Sequence, residues 1–227
     1  MPTEIQRLVD ELVARMESGS APAYRTAMKR LADTARAGGP GSLTATAEAP
    51  APLLPGLSAD FAKTAVLAGA CVEWGASPIA LVEVLPRRAS KAMKFNEVVP
   101  RFWDKAARGR PLPEPVSAGA HQLVRTLTGL PRWRRGVDKN TMTRIAMSWF
   151  DMEDWLKALI TVMADAGFRA AVPGDVKAEL CEHAAALAHR SQQAAWVGAL
   201  AAVLDDEPLV VIDPRARRGY ALTMSGI

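Results

Sequence analysis

The sequence predicts a mainly all-α chain, a helical bundle of about seven helices with a short C-terminal β-hairpin. Three observations lead there. Apolar residues recur at helical spacing through most of the chain. Alanine supplies much of the 49% hydrophobic content, which suits close helix packing better than a thick aromatic core. Only the last stretch, from Leu209 onward, reads as strands around a turn.

The first helix follows from Ile5, Leu8, Val9, Leu12, Val13 and Met16, with Glu4, Arg7, Asp10, Glu11 and Arg15 on the opposite face. Pro2 and Thr3 suit its start and Gly19 its stop. A second helix from Ser20 to about Ala37 buries Tyr24, Met28 and Leu31, and the two form an antiparallel hairpin. Residues 38–57 hold Gly, Pro, Ala, Ser and Thr with few large apolar anchors, the composition of a flexible loop.

Ser58 reads as a cap for a helix running to Trp74, and Ser77-Pro78 as a second start. Pro86 and Pro100 each remove a helical hydrogen bond, so the reading places a kink or restart at Pro86 and a short helix over 95–107. Pro111, Pro113 and Pro115 make an extended connector. It divides the chain into an N-terminal helical subdomain, 1–110, and a C-terminal one, 117–227, unless the two form one continuous domain.

Beyond the connector, a helix from about Ser117 to Thr128 precedes the most regular feature. Met142, Ile145, Trp149, Met152, Leu156, Leu159 and Met163 are spaced alternately three and four apart, on a helix capped by Asp138 and stopped by Gly167. Phe150, Trp155 and Ile160 widen its apolar surface, which predicts burial on more than one side at the centre of a bundle. Pro173-Gly174-Asp175 then opens a last helix running to about Leu204. The hairpin follows, with strands 209–212 and 220–224 and a turn over 213–219.

Charge is segregated along the chain. Residues 85–144 carry 14 Lys or Arg against 4 Asp or Glu, whereas residues 145–207 carry 4 against 10. Such blocks either face each other or offer a basic surface to an acidic partner. No secretory pattern opens the chain, since Glu4, Asp10 and Glu11 interrupt it, and no 18-residue apolar stretch crosses a membrane. Two isolated cysteines, Cys71 and Cys181, form no disulfide framework, so the expected compartment is the cytoplasm.

Candidate chemistry is sparse. Glu179 and His183, four apart, share a helical face and supply two potential metal ligands, but no third is evident, and ordinary ion-pair and hydrogen-bond roles are the simpler expectation. Asp151 and Asp154, three apart, suit a cation or an arginine, with solvation or helix pairing expected. Cys71 sits among small apolar residues as an inert thiol. Glu179, His183 and Asp151 are thus the candidate catalytic residues, and no cofactor or metal is expected. Arg132, Trp133, Arg134 and Arg135, near Arg125, Lys139 and Arg144, could hold phosphates and stack a base, with Arg215, Arg217 and Arg218 of the hairpin turn adding to the patch.

The resulting expectation is a non-catalytic protein-interaction or scaffold module, binding a protein partner or itself through a helical surface or the hairpin edge. An enzyme or small-molecule-binding protein with an interhelical pocket is the alternative. Nucleic-acid binding through the arginines is the third.

Overall fold

The computed structural model describes residues 4–57, 59–115, 119–203 and 208–223, and among them the architecture is α-helical with one two-stranded hairpin. The proposed signals at Pro2, Thr3, Ser58, Ser117, Leu204 and Met224 lie outside the described residues. The helices are α1 (Glu4–Glu17), α2 (Ala21–Ala37), α3 (Gly39–Glu48), α4 (Lys63–Glu73), α5 (Leu85–Ala107), α6 (Ala120–Thr128), α7 (Arg132–Arg135), α8 (Lys139–Met163), α9 (Ala166–Ala171), α10 (Gly174–Leu187) and α11 (Gln192–Ala201). No helix among the described residues is long and apolar enough to cross a membrane.

Helix α8 is the axis. Asp138 caps it, its Oδ1 accepting from the amides of Asn140 (2.8 Å) and Thr141 (3.0 Å). Its seam residues are buried except Trp149, and Trp155, Ala158 and Val162 are buried beside them. It packs against α4, α5, α6 and α11, so apolar residues are needed on several faces, as the sequence reading required. The α4 crossing is close. A Cβ on Gly69 would lie 3.2 Å from both the Cα and the carbonyl oxygen of Ala158.

Three apolar cores result. The largest joins α4, α5, α8, α10 and α11 through Leu85, Met93, Trp155, Leu159, Leu180 and Val197, mixing residues from both sides of the proline-rich connector. A second holds α1 to α4 together around Leu12, Tyr24 and Leu31. The third gathers Val99, Trp103, Leu123, Leu127, Met142 and Ile145 where α5, α6 and the first turns of α8 meet. The connector itself is pinned by two indoles: Trp103 Nε1 donates to the Arg110 carbonyl and Trp149 Nε1 to that of Pro113, each at 2.7 Å.

The helices outnumber the expected seven for reasons that lie in tertiary contacts. Segment 38–57 is not a loop: it forms α3 and a 3₁₀ turn, Ala51–Gly56. Leu43, Thr46, Ala47, Ala51 and Leu54 are buried, so small side chains serve as anchors where helices approach closely. The long final helix is broken at Ser191. That hydroxyl accepts from the Ala194 amide (3.1 Å) as a cap and donates to Glu153 Oε1 on α8 (2.9 Å). Gly167 does not terminate α8 but lies inside α9, whose start is capped by Asp165 accepting from Phe168 N (2.7 Å).

Pro86 occupies the first turn of α5, where its missing N–H costs nothing, and Ser77-Pro78 opens only the 3₁₀ turn Ile79–Leu81. Pro100 lies within α5 without ending it. The carbonyl it leaves without a helical donor is that of Asn96, and Arg190 Nη2 fills the vacancy at 2.9 Å while also reaching Asn96 Oδ1 at 3.1 Å.

The hairpin pairs β1 (Pro208–Asp213) with β2 (Arg218–Thr223) in antiparallel register, Val211 opposite Tyr220 and Asp213 opposite Arg218. Asp213 Oδ1 closes the turn by accepting from the amides of Arg215 (2.9 Å) and Ala216 (3.0 Å).

Candidate functional site

The three carboxylate and imidazole candidates do not form one cluster. Glu179 and His183 share a face of α10, but each is engaged by α5. Ser90 Oγ bonds Glu179 Oε2 at 3.2 Å, and Glu97 Oε1 lies 2.6 Å from His183 Nδ1. Glu179 is exposed and His183 buried. Both roles are met within the α5–α10 interface, and among the described residues no group of three His, Cys, Asp or Glu is placed to hold a metal.

Asp151 belongs to a different interface. It is 1% exposed on α8, so it does not sit on a solvated face; it is the paired member of the alternatives the sequence left open. Its Oδ2 accepts from the Ala59 amide at 2.9 Å and lies 3.7 Å from Arg88 Nη2. Burial pushes the Asp151 carboxyl up to about 6, against the opposing effects of Arg88, the Ala59 N–H and Trp155, with Asp154 adding to the rise. Oδ1 of Asp151 and Nε1 of Trp155, one turn apart, are both buried outside hydrogen-bond geometry. With a value of about 6 the carboxyl is mainly ionised at pH 7, where it faces Arg88, and takes up its proton in mildly acidic solution. Cys71, fully buried, is pushed up to about 11 by burial and is an inert thiol.

Arg88 is the residue that sequence reasoning missed. Its guanidinium stacks 4.3 Å above the Trp155 ring, donates to the Leu57 carbonyl at 2.9 Å and faces Asp151. Burial lowers its pKa, Asp151 counteracts that, and nearby Arg144 lowers it further. On the solvent side, Arg88, Lys91, Phe95 and Arg144 line a small cleft of about 40 Å³ together with Pro55, Gly56 and Leu57. Arg88, Lys91 and Phe95 fall on one face of α5, a spacing visible in the sequence. Arg144 and the 55–57 wall come from distant positions, which no periodicity reveals.

The expected arginine patch is described only in part. Arg132 is exposed at the start of α7, and the side chains of Trp133 and Arg134 lie outside the described residues. Arg135 is turned inward, with Nε and Nη1 buried and without hydrogen-bond partners. Arg125 and Lys139 border a separate open groove of about 560 Å³ between α6 and α8, with His121 and Thr143. The opposed charge blocks do meet in places, through Arg87–Asp175 at 3.8 Å and Arg88–Asp151 at 3.7 Å. Asp205, Asp206 and Glu207, at the end of the acidic block, lie outside the described residues.

The hairpin carries the largest apolar exposure. Val210 and Ile212 are 73% and 72% exposed on one face, and Val211, Tyr220 and Leu222 are 46%, 46% and 51% exposed on the other. None of these five belongs to any of the three cores. Arg215, Arg217 and Arg218 are exposed at the tip, without a salt bridge to any described residue.

Comparison of the chain with protein-family models, curated proteins and solved structures returned no match in any of the three.

Proposed function

We propose that the protein is a non-catalytic, cytoplasmic protein-interaction module that docks a partner through its C-terminal hairpin. The observation that carries this reading is the bareness of both hairpin faces. Val210, Val211, Ile212, Tyr220 and Leu222 are each close to half exposed or more. A two-stranded hairpin is marginal by itself in water, and burying one such side chain contributes about 1.5–3 kcal/mol. A partner covering one face therefore stabilises both the hairpin and the complex.

The chemistry of the partner follows from the hairpin. An extended apolar segment can add a strand to the free edge of β1 or β2. Carboxylates at one end of that segment would meet Arg215, Arg217 and Arg218 at the tip. The helical body, tied together by three cores, serves as a rigid mount.

The test is capture from native-source lysate with nuclease present, at two salt concentrations, followed by cross-linking mass spectrometry. Wild type is compared with the double variant Val210→Lys/Ile212→Lys. A stoichiometric protein cross-linked to residues 208–223, and lost with the double variant, supports the proposal. Capture unaffected by that variant, cross-links confined to the helices, or recovery of nucleic acid alone overturns it.

A further inference from the structure

We propose that the cleft formed by Arg88, Lys91 and Arg144 is a binding site for a phosphoryl oxyanion, either free phosphate or the headgroup of a phosphate monoester. Independent features converge on this ligand class. The first is charge. Three cations from two helices line one small cavity, and Asp151, the carboxylate that faces Arg88, is not part of the lining. Lys91 and Arg144 are exposed and make no salt bridge with a described residue. An unliganded site that keeps like charges this close carries an electrostatic cost, which a bound anion reverses.

The second feature is size. About 40 Å³ corresponds to roughly three water positions. That suits one small tetrahedral oxyanion. An organic substituent on the phosphate would have to project outward, past the Phe95 ring at the rim.

The third is preorganisation. Arg88 is held on three sides, by the Trp155 ring beneath it, the Leu57 carbonyl and Asp151, and its side chain is only 10% exposed. Its planar fork is thus fixed before any ligand arrives, so little side-chain entropy is lost on binding. Lys91, whose ammonium lies 5.7 Å from the Phe95 ring centroid, and Arg144 supply the exposed cations at the rim. The exposed cations and the fixed one play different parts. Buried Arg88 orients the oxyanion, and the exposed pair sets affinity and salt dependence.

The experiment is isothermal titration of the full chain with inorganic phosphate at low ionic strength, repeated with sulfate and with phenyl phosphate. Two variants are compared, Lys91→Gln/Arg144→Gln at the cleft and Arg125→Gln/Lys139→Gln at the other basic groove. All four replaced side chains are exposed, so thermal unfolding should match wild type and serves as the folding control. The expected result is saturable one-to-one phosphate binding, weakened about tenfold or more in the cleft variant and unchanged in the groove variant. Tighter binding of phenyl phosphate than of phosphate assigns the site to a monoester, and equal binding assigns it to the free ion. No saturable binding by any of the three anions, or equal losses in both variants, overturns the proposal.

Discussion

Arg190 donates to the main-chain carbonyl of Asn96 at 2.9 Å, the acceptor that Pro100 leaves without a helical donor. A side chain from the turn after α10 thus repairs a defect in α5 and lets that helix run on to Ala107. Replacing Arg190 with Met should cost about 1–3 kcal/mol, because a buried carbonyl loses its donor. In a Pro100→Ala background residue 100 regains its N–H, and the same replacement should cost about 1 kcal/mol less. Urea unfolding of the four proteins in this cycle measures the difference; strict additivity would show that the two positions are not linked.

Asp151 makes stability depend on pH in an unusual direction. Its folded-state value, about 6, lies above its ordinary 3.8, so the folded chain binds the proton more tightly than the unfolded one. The stabilisation from that proton is present at low pH and is lost as pH rises from about 4 through about 6. Relative to Asp151→Asn, wild type should lose about 1–3 kcal/mol over that interval and then level off. Denaturant titrations at pH 4, 5, 6 and 7 test this, and parallel profiles for the two proteins would contradict it.

Arg169 is 2% exposed and caps the end of α8 from inside, Nη1 meeting the carbonyls of Met163 at 2.6 Å and Ala164 at 3.1 Å. Arg169→Leu strands both acceptors and should destabilise by about 2–4 kcal/mol. Because the contact is shielded from solvent, the loss should change little between low and high salt. A strongly salt-dependent loss would place the interaction at the surface instead.

At the α4–α8 crossing, helix propensity and sterics oppose each other. Gly69→Ala gains up to about 1 kcal/mol of helix propensity, yet its methyl would press on the Ala158 backbone at 3.2 Å, so the net change should be small. Gly69→Val has no such offset and should cost about 1–3 kcal/mol. Melting temperatures of the pair give the answer.

Cys71 should not react with a thiol reagent at pH 8 while the chain is folded, since it is buried and its pKa is about 11. Half-buried Cys181 accounts for whatever labelling occurs. Unfolding in denaturant should release both thiols, and two labelled cysteines in the folded protein would refute this.

The sequence by itself determined the class and the centre of this fold. The alternating spacing from Met142 to Met163 specifies a helix with a wide apolar surface, and Asp138 marks its start, because periodicity and capping are local properties of a helix. The strand character of 209–212 was local in the same sense. The tertiary structure decided the rest. Segment 38–57 is helical because neighbouring helices bury its small side chains, an energy no local pattern contains. Pro100 is tolerated because Arg190 arrives from 90 residues away, and the final helix breaks where Glu153 of α8 receives the Ser191 hydroxyl. Glu179, His183 and Asp151 were visible as residue types, but only packing separated them, giving the first two to α5 and burying the third beside Arg88. The basic cleft was likewise out of reach of sequence reasoning. Its lining comes from α5, α8 and the turn before α4, and nothing but the folded contact of α5 with α8 brings its three cations together.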